Sequence, residues 1–264
     1  SATVVAAASA DRMARRDHRV LIAKILPRPA AKIVPITAQS LGLLQAFNAE
    51  PLAVRQNIAS LFQGRRYARG AALITQKDPD YGVFFVLSGS VRVTYLSKRG
   101  REVSFRDVVA GEMFGELSTL DDGVRSAQVI ATSNITVAWL ARERFVALAY
   151  SQPRFADYVM RYLAHLVRLL TERVVEMSTL GVVNRIHAEL LRLARGNGAT
   201  TASASATIDF NRDEIARRIS THREAVSREI TVMEKSGLVK RMGRSSLLVT
   251  DVRRLEAMVE EVSG

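Results

Sequence analysis

The chain has 264 residues, 48% of them apolar, and a formal net charge of +12. That length allows two domains with real cores. It contains no cysteine, which excludes disulfides, thiolate zinc sites and Cys-ligated iron–sulfur clusters.

No window approaches about 18 uninterrupted apolar residues, so no membrane span is expected. The N-terminal 40 residues lack the single apolar block, about 7–15 residues long, of a secretory signal, and a cytoplasmic protein is the simplest expectation. The positive charge fits an anionic partner such as nucleic acid. It is spread along the chain, +5 over residues 1–40, +4 over 41–181 and +3 over 182–264, so it is permissive and does not locate a binding face.

Residues 1–35 hold an Ala-rich run, then "RMARRDHR" and "PRPAAKIVP", and read as a basic flexible arm. From Leu41 to Phe62 the apolar residues fall at helical spacing, as one or two helices. From about Arg66 the period shortens. "GVFFVLSGSVRVTYL" reads as strand, Ser-Gly-Ser turn and strand, with Val91, Val93 and Tyr95 alternating against Arg92 and Thr94. "REVSFRDVVAGEMFG" and "AQVIATSNITVAWLARERF" continue in that style. Short strands with Gly turns every 8–12 residues or so predict an antiparallel barrel or sandwich over 36–152.

Within it, "GELSTLDDGVRSAQV" places a carboxylate, Glu116, and a guanidinium, Arg125, at the two ends of a turn containing Gly and Asp. Two readings are open: a salt bridge that closes a loop, or a site for an anion.

Pro153 marks a break, and a long helix is expected through about Leu180. Val159, Leu163, Leu166, Leu170, Met177 and Leu180 follow a heptad, interrupted by Arg173, and predict a coiled-coil seam between two copies of residues 153–181. A helix "VVNRIHAELLRLAR" follows Gly181, and "GNGATTASASAT" reads as a loop.

In "NRDEIARRISTHREAVSREITVMEKSGLV", Asn211 is an N-cap with Glu214 three residues on. Ile215, Ala216 and Ile219 give a short helix, and Thr221 is expected to cap the next. Val226, Ile230 and Met233 stripe that second helix. This is the helix-turn-helix pattern. Arg223, Glu224, Ser227 and Arg228 lie near the start of the second helix, away from its core side, where Arg can read guanine and Glu can accept from cytosine N4. "GLVKRMGRSSLLVTD" then reads as a wing, with Lys240, Arg241 and Arg244 available to phosphate and the domain running over 182–264. Arg212 and Thr221 complete the candidate DNA-binding set.

"SGSVRV", "GEMFGELSTL…RSAQVIA", the long helix, "NRIHAELLRLA" and "THREAVSREI", in this order, resemble the CRP/FNR family of bacterial transcription regulators over about Leu41–Asp251. The resemblance implies an α+β fold: an N-terminal antiparallel, jelly-roll-like β-roll that binds cyclic nucleotide, a long dimerisation helix and a C-terminal winged helix-turn-helix. It also implies a phosphate-binding cassette spanning Gly115, Glu116, Leu117, Ser118, Arg125, Ser126 and Ala127. There Glu116 accepts from the ribose 2′-OH, Arg125 pairs with the cyclic phosphate, and Ser126 with the Ala127 N–H completes the nest. The family's base-reading Thr-Ser pair falls on Leu170 and Thr171, so one hydroxyl is replaced. The implied effector is cAMP, with cGMP, cyclic di-GMP or ligand independence as alternatives. The implied partners are double-stranded DNA, a second copy of the chain and RNA polymerase. Haem is disfavoured by the missing cysteine and four scattered histidines, His18, His165, His187 and His222. The sequence shows no P-loop, metal-spaced cluster or Ser/His/Asp arrangement, so neither an enzyme nor a metal site is expected.

Overall fold

A computed structural model describes residues 31–76, 78, 82–97, 102–200, 204–243 and 245–263. Most of the expected basic arm and Arg244 lie outside the described residues. The elements in chain order are β1 (Lys32–Val34), α1 (Ala38–Leu41), α2 (Leu52–Ala59), β2 (Gln63–Tyr67), β3 (Ala72–Ile74), β4 (Val83–Ser88), β5 (Ser90–Leu96), β6 (Glu102–Val109), β7 (Met113–Phe114), α3 (Leu117–Leu120), β8 (Gln128–Ala131), β9 (Ile135–Leu140), α4 (Arg142–Ser151), α5 (Pro153–Thr179), α6 (Val182–Gly196), β10 (Ala206–Asp209), α7 (Arg212–Arg218), α8 (Arg223–Lys235), β11 (Val239–Arg241), β12 (Ser246–Val249) and α9 (Val252–Ser263). The chain divides into two compact units, with the boundary between Val159 and Met160, inside α5.

The first unit is built on two antiparallel sheets, ordered β1-β2-β9-β4-β7 and β3-β8-β5-β6. Leu73, Val91, Val108 and Val129 from one sheet pack with Phe84, Val86, Phe114 and Val137 from the other. Strand β4 is apolar on both faces because both are covered. Phe84 stacks on Phe114 at 5.0 Å inside the roll, while Phe85 meets Phe47, Phe62 and Phe155 in a helical layer. Strands β4 and β5 do not pair with each other. The chain turns at Gly89, φ +83, and passes from one sheet to the other.

Several expectations shift. Residues 32–34, read as part of the arm, pair with β2 as an edge strand. The helical stretch before the roll resolves into two short helices, the first ending at Leu41, where the helical spacing was expected to begin. The strand pattern of "ITVAWLARERF" ends at Leu140, and Arg142 opens α4, which buries Phe145 and Leu148. Ala206 and Thr207, read as loop, begin β10, which pairs with β12.

In the second unit, α6, α7, α8 and α9 with the sheet β10-β12-β11 enclose one core. It includes Ile186, Leu190, Ile208, Ile215, Val226, Ile230, Met233, Leu247 and Leu255. The closing helix α9 was not anticipated. It packs Met258 and Val259 against this core, and Glu256 accepts from Arg195 of α6.

The long helix, Pro153–Thr179, follows the predicted span. Val159 and Leu180 are buried in the chain itself, and Arg173 bonds to Glu189 on α6. The exposed row is Met160, Val167 and Val174, at 63–64% exposure, with Leu170 beside it at 46%. One residue is about 100° of helix rotation, so a seam through this exposed row would share Leu163, Leu170 and Met177 with the expected heptad and differ in its other row.

Candidate functional site

The stretch from Gly115 to Ala127 forms a turn between β7 and β8. Gly115 adopts φ +84, a conformation glycine tolerates and L side chains rarely adopt. A Cβ there would stand 2.8 Å from Arg125 Nη1 and 3.2 Å from the Gly82 carbonyl oxygen, so the position is closed to larger residues. The short α3 follows, with Glu116 at its N-cap and the Glu116 carbonyl accepting from Thr119 and Leu120 N–H. Asp121 then accepts from the Gly123 N–H at 2.9 Å, and Asp122 sits at φ +58. Arg142 at the start of α4 pairs with Asp122 and braces the turn from outside.

Arg125 is buried, 2% exposed. Its Nη1 donates to the Gly115 carbonyl at 2.6 Å and to Ser118 Oγ at 2.8 Å, and its Nη2 donates to the Gly82 carbonyl at 2.6 Å. These bonds orient the guanidinium and hold the turn around it. Glu116 is buried as well, and burial pushes its carboxyl above the usual carboxylate range. Its own backbone amide and the charges of Arg106 and Arg125, in that order, pull it part of the way back. Arg125 contributes the smallest of these influences.

Among the other cassette residues, Ser118 is buried, Leu117 and Ser126 are exposed, and Ala127 is half-buried. Sequence reasoning missed three neighbours. Gly82 supplies a carbonyl to Arg125. Arg106 of β6 donates to the Met113 carbonyl at 3.2 Å and lies 4.0 Å from Glu112. Tyr158, in the second turn of α5, has its phenol pushed up to about 12, first by burial and then by the charge of Glu112; Arg106 draws it back, and Glu116 adds a smaller push. Arg106 and Tyr158 fall in ordinary strand and helix patterns, and only the fold brings them to Glu116. Leu170 and Thr171 lie exposed on α5 in the second unit, with Thr171 Oγ1 donating to the Val167 carbonyl at 2.8 Å.

In the second unit, Asn211 Oδ1 accepts from the Asp213 and Glu214 N–H groups and caps α7. The Glu214 carboxylate accepts from Arg218 at 2.7 Å. The turn between α7 and α8 carries Ser220 at φ +54. The N-cap of α8 is His222, with no side-chain cap bond, in place of the expected Thr221. Ala216, Val226, Ile230 and Met233 are buried as the stripe requires. His187 Nε2 on α6 lies 2.7 Å from Glu229 Oε1 and ties α8 to the body.

The outward face of α8 carries Arg223, Glu224 and Arg228, all exposed, with Ser227 half-buried beside them. Arg223 lies 3.8 Å from both Asp213 and Glu224, in exposed pairs that hold it only weakly. Arg212 opens α7 and is half-buried, as is Thr221. On the wing, Lys240 is exposed, while Arg241 pairs with Glu234 at 3.1 Å. Among the described residues there is no cluster of metal-ligating side chains, and no helix is long and apolar enough to cross a membrane.

Residues 64–151 match the family model of the cyclic nucleotide-binding domain, and residues 184–258 that of the Crp-like helix-turn-helix domain. The chain is similar to the Cyclic AMP receptor protein of Thermus thermophilus, 32% identical over 200 residues, 75% of this chain and 88% of that one. It is also similar to the CRP-like cAMP-activated global transcriptional regulator of Mycobacterium tuberculosis, 25% identical over 81% of this chain and 94% of that one. Among solved structures, a CooA variant from Carboxydothermus hydrogenoformans shares the fold with a TM-score of 0.69, at 22% identity over 86% of this chain and 98% of that one. The c-di-GMP responsive regulator CLP of Xanthomonas campestris does so with 0.65, at 22% identity over 72% and 94%. The named relatives are regulators, not enzymes. With a nucleotide-binding roll, a long helix and a DNA-binding head in one order, the chain belongs to the CRP/FNR family of transcription regulators, responsive to a cyclic nucleotide and acting on DNA.

Proposed function

We propose that the effector is cAMP and that it switches a homodimer between a weak and a strong DNA-binding state. The observation that carries this reading is the buried Arg125 within the Gly115–Ala127 turn, in a chain whose relatives are named for cAMP. A cyclic phosphodiester carries one negative charge, and a prepositioned guanidinium beside turn N–H groups suits it. The family resemblance gives Glu116 the ribose hydroxyl and Ser126 with the Ala127 N–H the rest of the phosphate. Leu170 and Thr171 take the base edge. Thr171 donates its proton to its own helix, so it meets a base as an acceptor, which suits the amino group of adenine better than the carbonyl of guanine.

The dimer reads an inverted repeat with TGTGA-like half-sites, centred about one helical turn, ~34 Å, apart. Arg223, Glu224 and Arg228 contact base edges. Arg212, Thr221, Ser227, Lys240 and Arg244 serve the backbone and flanks. RNA polymerase is the downstream partner. Moving such a switch from about 1:99 to 99:1 requires about 5.5 kcal/mol of differential affinity.

Calorimetric titration with cAMP, cGMP and cyclic di-GMP, each repeated on Arg125→Leu, tests the effector. Tight cAMP binding lost in the variant is expected. Tighter cGMP or cyclic di-GMP binding reassigns the effector. No binding of any of the three overturns a mononucleotide- or dinucleotide-responsive reading.

A further inference from the structure

Among the described residues of the second unit, Glu189 is the most deeply buried charge, 0% exposed. A buried carboxylate needs compensating partners. Here three guanidiniums provide them, and they come from three helices. Oε2 accepts from Arg173 Nη1 of α5 at 3.1 Å and from Arg192 of its own helix α6. Oε1 accepts from Arg218 Nη1 of α7 at 3.2 Å. The carboxylate is thus divided, one oxygen toward the long helix and the other toward the first helix of the helix-turn-helix.

The contact with the long helix is doubled. Arg192 Nη2 donates to Glu176 Oε1 at 2.5 Å, and Arg173 Nη1 lies 3.6 Å from Glu176. Arg173 and Glu176 on α5, three apart, therefore face Glu189 and Arg192 on α6, also three apart. This ring spans the junction at Leu180 and Gly181, where α5 ends and α6 begins. A Cβ at Gly181 would meet nothing within 4 Å, so packing does not confine that residue of the connector.

Replacing such an ion group with apolar residues often costs no stability, whereas charge-assisted hydrogen bonds fix direction. We propose that Glu189 is a positioning residue for DNA reading: its carboxylate ties the long helix to the first helix of the DNA-binding head, and so sets how the two heads of a dimer are presented to successive half-sites. This rests on the proposed reading of an inverted repeat by a cAMP-bound homodimer.

The test compares the full chain with Arg173→Gln, which opens the long-helix side of the ring and leaves the Arg218 side intact. Each is titrated, with saturating cAMP, onto a duplex carrying the inverted repeat, a duplex carrying one half-site, and a series with the half-sites moved apart by single base pairs. The variant is expected to bind the single half-site within about twofold of wild type. It should bind the inverted repeat at least about tenfold more weakly, equivalent to about 1.4 kcal/mol, with a flattened dependence on spacing. Arg173→Lys, which keeps the charge, should restore the spacing preference.

A parallel loss on both duplexes, accompanied by a lower melting temperature, would mean a purely structural role and would overturn the proposal. No change on either would overturn it too. If Arg173→Gln loses its fold, Arg173→Met carries the same comparison with the stem retained. A wild-type protein indifferent to the second half-site would overturn the dimeric reading itself, and the proposal with it, whereas a discriminating wild type beside a discriminating variant overturns the proposal alone.

Discussion

Glu116 is held in a setting that opposes its own ionisation. Burial raises its proton affinity, so the folded chain binds that proton more tightly than the unfolded chain does. Its contribution to stability is therefore full below pH 4.5 or so and is lost as pH rises through the raised folded value. Glu116→Gln should melt higher than wild type at neutral pH, with the gap closing toward acid, and each tenfold shift in acidity is worth about 1.4 kcal/mol. The same variant should bind cyclic nucleotide more weakly, as the ribose contact proposed for Glu116 requires. A variant that melts lower at neutral pH would contradict the desolvation argument. Ser220 poses a simpler case. It occupies a left-handed conformation in the helix-turn-helix turn, which costs an L residue roughly 1–2 kcal/mol. Ser220→Gly should recover part of that, read as a higher denaturation midpoint with unchanged DNA affinity. Glu116 and Arg125 were legible in the sequence because their spacing is local. Gly82, Arg106 and Tyr158 were not, since they reach the turn only through sheet pairing and helix docking.

At the scale of elements, the long helix shows what periodicity alone can and cannot give. Its span and its amphipathic character are written in the sequence, but two adjacent heptad phases both offered apolar residues. The choice was made by what the chain buries for itself: Val159 and Leu180 are packed internally, and Arg173 is claimed by Glu189. We propose that the seam uses Met160, Val167 and Val174 with Leu170, the apolar row the chain leaves exposed. Each valine buried there contributes roughly 1.5–3 kcal/mol. Val167→Glu combined with Val174→Glu should give a monomer by light scattering, with its helical circular dichroism retained; a persisting dimer would rule out this row. The reading helix was more legible, because its core stripe and its outward charges are separated within one short segment. There Arg228→Ala should cost roughly 1–3 kcal/mol and relax selection at a single guanine. Uniform weakening across all sequences would instead make Arg228 a phosphate contact. The strand pattern misled at Ala141–Phe145, where Arg142, Glu143 and Arg144 already break the apolar run and open α4, with Phe145 buried beneath them.

For the molecule as a whole, Trp139 provides an intrinsic reporter. It is the only tryptophan in the chain. Arg65 lies over its ring at 4.0 Å, and the backbone of Gly82, whose carbonyl accepts from Arg125, lies against its indole edge. Displacement of that carbonyl by an arriving phosphate should change the emission of Trp139. Because linkage is reciprocal, adding operator DNA should shift the nucleotide midpoint down by the same factor by which nucleotide strengthens DNA binding. Unequal factors would show that the two titrations follow different equilibria. The corner at Gly89 has a consequence of another kind. A Cβ there would collide with the backbone of Asn134 and Ile135, and this one residue joins the strand centred on Phe85 to the strand centred on Val93, in different sheets. Neither sheet is a contiguous length of chain, so neither can be excised as an autonomous fragment. A break in the polypeptide at Gly89 would leave both sheets to be assembled from separated segments, so this buried corner is a poor place for a new pair of termini.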